Sequence, residues 1–199
     1  MALFENADDA IAAGKELYHE IVLNKSTAQE LGVQSINIGI GIHSGMARIG
    51  IVGEDERLSG TVISNTVNIS SRLESLTKQY NTAMIITKET LDRLSDPDSL
   101  SVRYLGMIQV AGVNEVKALY EVLACLDDER RETREKTSFE FREAIKAYHL
   151  GKAKDSAKLL EPLVLAAKND PVPKMYFDYV NEKIAINDNE HNVFKFEKK

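Results

Sequence analysis

Between residues 36 and 42 isoleucine occupies every second position (Ile36, Ile38, Ile40, Ile42), with Asn37, Gly39 and Gly41 between and His43 following. A period of two predicts a strand with one apolar face and one nearly bare face. Glycine weakens a strand, so its recurrence on the bare face points to backbone or ligand coming close there. Beyond Gly45, residues 47–52 read as a return strand, so that residues 36–52 form a long hairpin. Upstream, Ala10, Gly14, Leu17 and Ile21 follow helical spacing behind Asn6, an N-cap, with Asp8 and Asp9 in the first turn, and predict a helix over residues 7–23. Residues 60–63 form a short β segment feeding a helix that ends near Tyr80 and Asn81. That helix carries Ile69, Leu73 and Leu76 on one stripe, with Ser64 or Asn65 as its cap. A strand over residues 83–87 follows, and Thr87 caps a short helix reaching Leu94. Residues 96–99 are a loop by their turn chemistry. Residues 102–110 and 117–123 make a final hairpin, its turn marked by Gly112 and Asn114. The order implies an α+β sandwich, helices lying on a mainly antiparallel sheet.

The pattern then changes. The segment DDERRETREK, residues 127–136, is almost wholly charged and reads as a solvated linker or exposed helix. Beyond it Phe141, Ala144, Ile145 and Tyr148 make one helical stripe, Gly151 breaks it, and Ala153, Ala157, Leu160 and Val164 make a second. Asp170 and Pro171 open a third helix bearing Met175, Tyr176 and Tyr179. A helical hairpin of about thirty residues with Asp-Pro at the next start resembles a tetratricopeptide-type unit. Such units do not stand alone, so this groove is expected to dock on the first domain or on a partner. The expected division is a first domain over residues 1–126, a charged segment over 127–138, a helical module over 139–186, and a polar, frayed tail over 187–199.

With 199 residues, 43% hydrophobic and 28% charged, the chain can bury one full core and a smaller module. A net charge of −6 and a pI near 5.3 exclude a general nucleic-acid or anionic-membrane surface, so any phosphate site must be local. The single Cys125 excludes an intrachain disulfide and a Cys-based zinc cage, and fits a reducing compartment. His19, His43, His149 and His191 show no ligand spacing. No apolar run approaches the roughly 20 residues of a membrane span, and no signal-peptide order begins the chain. A cytoplasmic protein is expected.

The candidate chemistry lies in SNTVNISSRLESL, residues 64–76. Asn68 and Arg72 are four apart, so they share a helical face beside the apolar stripe, where an anionic ligand can be gripped. A solvated arginine and a helix-start asparagine are the commoner meaning of such a pair.

The rest of the chain changes that balance. The runs IGIGIHSGMARIGIVG, GTVISNTVNISSRLESL and YLGMIQVAGVNEVKALYEV, in this order, resemble the later two-thirds of the class III adenylate/guanylate cyclase catalytic domain, over about residues 1–123. The resemblance implies a ferredoxin-like α/β sandwich lacking its first strands, and the small all-α hairpin module read above follows it. It implies a reaction in which the ribose 3′-hydroxyl of a nucleoside triphosphate attacks its own α-phosphate, releasing pyrophosphate. Asn68 matches the residue that holds the ribose, and Arg72 the one that grips the α-phosphate. Thr61, seven residues before Asn68, matches a base-reading position where Thr leans toward ATP over GTP.

There are departures. Ser64 and Asn65 replace the usual Gly and Asp, and Ala111 replaces the commoner Lys before Gly112, which removes a triphosphate contact; nearby Lys117 reads as a strand surface residue. The family site uses two Mg²⁺ or Mn²⁺ ions held by two aspartates, and neither these nor the base-reading lysine has a match here. Asp8, Asp9, Glu54, Asp55 and Glu56 are out of position, and read as helix-start and loop charges. The expectation is an adenylate cyclase domain that is inactive alone and works as a homodimer or heterodimer. The alternatives are a non-catalytic cyclase-like module completing a partner's site, and a scaffold with an idle site. The helical tail is expected to offer a surface for a protein partner.

Overall fold

The computed structural model describes residues 1–23, 30, 32, 36–54, 57–109, 115–166, 169–187 and 193–195; of residues 23, 49, 51–54 and 57–63 it describes the backbone. Helix α1 spans Ala7–Tyr18 and runs into a π-helical turn, His19–Leu23. Asn6 caps it by accepting a hydrogen bond from the Asp9 amide at 2.8 Å. Its buried face is Ala7, Ala10, Ile11, Gly14 and Tyr18. The expected stripe is therefore corrected at Leu17, which is 49% exposed. The stripe follows the helical period from Ala7, and the π turn breaks the register on which Ile21 depended.

Among the described residues six strands follow, from β1, Ile40–Ile42, through β2, Arg48–Glu54, β3, Arg57–Ile63, β4, Met84–Thr87, and β5, Val102–Gln109, to β6, Val116–Val122. Strands β1, β4, β6 and β5 form one sheet in that order. β1 is parallel to β4, while β6 is antiparallel to both β4 and β5. The final hairpin thus forms as the alternation predicts; Val110, Ala111, Gly112 and Asn114 of its turn lie outside the described residues.

The long hairpin over residues 36–52 does not form. β2 pairs instead with β3 in a separate ladder, Arg48 opposite Ile63 and Glu54 opposite Arg57. The bare face of β1 is taken by helix α2, Asn65–Tyr80. A Cβ on Gly41 would collide with the Ser70 carbonyl oxygen and the Glu74 amide and lie 2.7 Å from Leu73 Cβ, and one on Gly39 would lie 3.1 Å from the Glu74 carbonyl oxygen. The glycines therefore admit helix backbone. After β4 a short helix α3, Lys88–Leu91, stops before Leu94. Thr87 occupies its cap position without capping it; the hydroxyl instead lies 2.8 Å from His43 Nδ1.

The charged segment is a helix. α4, Asp128–His149, is continuous through it, capped by Asp127, whose carboxylate accepts from the Arg130 amide at 3.0 Å. Most of its charges do face outward, among them the pairs Arg131–Asp128 and Lys136–Glu132. Arg134 is instead completely buried. Two helices follow, α5, Ala153–Ala166, and α6, Pro171–Ala185. Phe141, Ala144, Ile145 and Tyr148 of α4, Leu160 and Leu163 of α5, and Val172, Tyr176 and Val180 of α6 join Ile69, Leu73, Tyr80, Leu105 and Leu119 in one core. The helical tail is thus docked on the sheet. On α5 Leu163 is buried where Val164 was expected, and Val164 is half-buried.

The tail is also corrected at Phe194, which is fully buried rather than frayed. Its carbonyl accepts from the Gln109 amide at 2.9 Å, its amide donates to the Met107 carbonyl at 3.0 Å, and its ring stacks on Tyr148. One aromatic in a polar run covers the β5 edge and fills a core site at once.

Candidate active site

Helix α2 positions the candidate pair. Ser64 is its N-cap, accepting from the Thr66 amide at 3.0 Å and donating to the Met46 carbonyl at 2.7 Å. The Thr66 hydroxyl donates to the same carbonyl at 3.0 Å. Asn65 donates to Glu115 at 2.9 Å. These bonds fix the loop after β1 and the start of β6 around the first turn. Ile69, Leu73 and Leu76 are buried as the spacing predicts, while Asn68 is exposed and Arg72 half-buried. Asn68 and Arg72 lie on one face, about 6 Å apart along the axis. Among the described residues neither forms a hydrogen bond or ion pair. A guanidinium and a carboxamide held on a rigid helix, with no described residue using their donors, can grip a phosphate oxygen and a sugar oxygen.

Thr61 is on β3 opposite Gly50, in the strand that leads into Ser64; its side chain is not among the described groups. Lys117 is largely buried and bridges Glu89 at 2.8 Å and Glu115 at 3.1 Å. It belongs to the scaffold of the first turn, more deeply placed than a strand surface residue. The Glu89 carboxyl is lowered from its ordinary value: burial opposes ionisation, and the bonds from Lys117 and the backbone outweigh it. Burial lowers the His43 pKa from its ordinary 6.5, with nearby Glu89 opposing. Asp8 accepts from the Ser95 hydroxyl at 2.9 Å, and so ties α1 to the loop beyond α3. Asp9 lies at the Asn6 cap. Asp55 and Glu56, and the side chain of Glu54, lie outside the described groups.

At the other end of α2 is a cluster that pattern reading missed. Arg103 on β5, Glu121 on β6, Arg134 on α4 and Asp170 at the start of α6 are all buried. Arg103 pairs with Glu121 at 2.6 Å and with Asp170, and Arg134 pairs with Glu121 and lies 3.5 Å from Asp170. Burial disfavours the charge on both guanidiniums. On Arg103 the two carboxylates outweigh burial and raise the pKa, whereas on Arg134 burial prevails and lowers it from the usual arginine value. The strand alternation held the signal: Arg103 is in phase with Leu105 and Glu121 with Leu119, so opposite charges face each other on the apolar side.

The family model of the adenylate and guanylate cyclase catalytic domain matches residues 5–124. The chain belongs to this cyclase family. An adenylate cyclase of Anabaena cylindrica is 36% identical over 131 residues, covering 62% of this chain and 26% of that protein. The terminal-differentiation specific adenylate cyclase of Dictyostelium discoideum is 31% identical over 139 residues, 67% of this chain and 6% of that protein. The crystal structure of the adenylyl cyclase CyaB from P. aeruginosa superimposes with a TM-score of 0.50 at 27% identity, covering 61% of this chain and 59% of that one. This cyclase-family chain therefore spans about a quarter or less of these curated relatives. The α+β architecture and the family are in agreement.

The ions implied by the cyclase resemblance find no fit among the described residues. No group of three or more His, Cys, Asp or Glu that could hold a metal occurs there. The carboxylates near the start of α2, Glu89 and Glu115, are already engaged by Lys117 and Asn65. No described helix is long and apolar enough to cross a membrane.

Proposed function

We propose that this chain supplies the ribose- and α-phosphate-holding helix of a nucleotide cyclase site that converts ATP to 3′,5′-cyclic AMP and pyrophosphate. The observation that carries this reading is α2 itself: Asn68 and Arg72 share one face of a helix capped and packed along its length, with no described partner of their own. In the reaction the ribose 3′-oxygen loses its proton and bonds the α-phosphorus, and the bond from that phosphorus to the pyrophosphate leaving group breaks. Such transfer depends on positioning and on spreading negative charge. Asn68 orients the ribose, and Arg72 meets the charge that grows on the α-phosphoryl oxygens, an interaction worth about 3 kcal/mol if it acts as oxyanion donors do. Thr61 reads the base and favours adenine.

The site is completed by a second cyclase domain, in a homodimer or heterodimer, and the chain alone is inactive. The domain over residues 1–126 is a ferredoxin-like cyclase sandwich, and residues 139–186 are a tetratricopeptide-like module open to a protein partner. ATP as substrate and a single buried cysteine suit the cytoplasm. The test mixes this chain with an adenylate cyclase domain that has its metal-binding aspartates but carries Arg→Ala in its own matching helix. Cyclic AMP formed from ATP only by the mixture, and faster than cyclic GMP from equal GTP, supports the reading. Robust activity of the chain alone, or silence of every mixture, refutes the completed-site arrangement, and a preference for GTP refutes the role of Thr61.

A further inference from the structure

The C-terminal helices reach the far end of α2. Its C-cap, Asn81, is in the left-handed conformation, φ 46°, and its carbonyl accepts from Arg130 at 2.5 Å and from Arg134 at 3.0 Å, both on α4. One residue earlier, the Tyr80 hydroxyl lies 2.8 Å from that of Tyr176 on α6, and Tyr176 donates to the Leu105 carbonyl. One residue later, the Thr82 hydroxyl donates to Glu121, the carboxylate that also holds Arg134 and Arg103. Asp170 closes the circuit: it pairs with Arg103 and caps α6 by accepting from the Val172 amide at 3.2 Å. Asn81 itself is exposed and Arg130 half-buried, but Arg134, Arg103, Glu121 and Asp170 behind them are buried and charge-balanced, and such groups lose much free energy when separated singly.

We infer that the helical tail is a positioning clamp for the candidate catalytic helix, with Arg134 as its principal positioning residue and Arg130 and Tyr176 in support. The inference rests on the reading of Asn68 and Arg72 given above. α2 is pressed backbone-to-backbone on β1 through Gly39 and Gly41, so it moves as a rod, and Arg72 lies about 14 Å along it from the clamped cap. The bonds at Asn81 fix the slide and rotation of that rod. Displacing reacting groups by about 1 Å costs on the order of a hundredfold in rate, so small play at the cap is enough to be read at the other end.

The test uses the full chain. Arg130→Ala with Arg134→Met and Asp170→Asn frees the cap while leaving the Arg103–Glu121 pair charge-balanced and an amide oxygen to cap α6. Tyr176→Phe is a gentler second variant that keeps the ring packed, and Arg131→Ala, on the outer face of α4, is the control. Hydrogen exchange of α2 amides is measured, together with turnover and KM for ATP in the complementing mixture. The clamp predicts exchange rising about tenfold through the turns bearing Asn68 and Arg72, and turnover falling about tenfold with KM within about twofold. Tyr176→Phe shows the same split more weakly, and the control shows none. Faster exchange confined to the tail helices, with α2 unchanged, overturns the clamp. So does a loosened α2 with undiminished turnover. If no mixture turns over, the completed-site arrangement fails by itself, and α2 exchange still decides whether the tail clamps the helix.

Discussion

Arg134 reaches from α4 to the C-terminal end of α2, Arg72 stands midway along α2 with Asn68 toward its other end, and the two arginines lie in opposite surroundings. Arg134 is buried, paired with Glu121, close to Asp170, and bonded to the Asn81 carbonyl. Arg72 is half-buried on α2 with no described partner. Burying a guanidinium costs several kcal/mol unless carboxylates answer it, so the closed end of α2 is a structural device whose parts require one another. At the open end no described residue engages the donors of Asn68 and Arg72, which is the arrangement a ligand site requires. Residue type does not separate these two arginines; the state of their hydrogen bonds does.

Breaking the closed end should have the largest effect on stability. Glu121→Ala strands two guanidiniums with one carboxylate and deprives Thr82 of its acceptor, at a cost of about 3–5 kcal/mol in denaturant unfolding. A loss under about 1 kcal/mol would show the cluster to be solvated and would erase the contrast. Gly41→Ala probes the support beneath the open end. Its Cβ would meet backbone atoms of α2, which cannot swing away as a side chain does, and about 1–3 kcal/mol should be lost in thermal unfolding. An unchanged midpoint would mean that α2 rides more loosely on β1 than described.

The smallest effect concerns pH at the foot of the open end. Burial lowers the His43 pKa below 6.5 in the folded chain, so between the folded and unfolded values the unfolded state binds more protons. This contribution to stability is complete above pH 6.5 and is lost as the pH falls through the folded value. His43→Gln should flatten that part of the stability curve. Superimposable curves for the two proteins below pH 6.5 would remove burial as the cause.

The open end was legible in the sequence because it is local. Cap, apolar stripe and the Asn68–Arg72 spacing all lie within one helix, and periodicity fixes their faces. The final hairpin was legible for the same reason. What escaped was set by distant partners. The alternation of Ile36 to Ile42 marks a strand, formed only over Ile40–Ile42, but not its neighbour, and α2 and β4 took the places assigned to β2. The charged run showed its helix-forming content, whereas the burial of Arg134 depends on Glu121 and Asp170, thirteen residues before it in sequence and thirty-six after. Phe194 was hidden by the polar residues around it, although an aromatic in such a run is a signal for a docking point.

The central claim is that Arg72 acts on a reacting phosphate and not on the fold. Its most direct measurement is Arg72→Ala in the complementing mixture, with turnover, KM for ATP and the thermal midpoint of the isolated chain read side by side. The account predicts turnover lower by about a hundredfold or more, KM changed far less, and stability within about 0.5 kcal/mol of the parent. Undiminished turnover, or a loss of turnover matched by a comparable loss of folding stability, would contradict it.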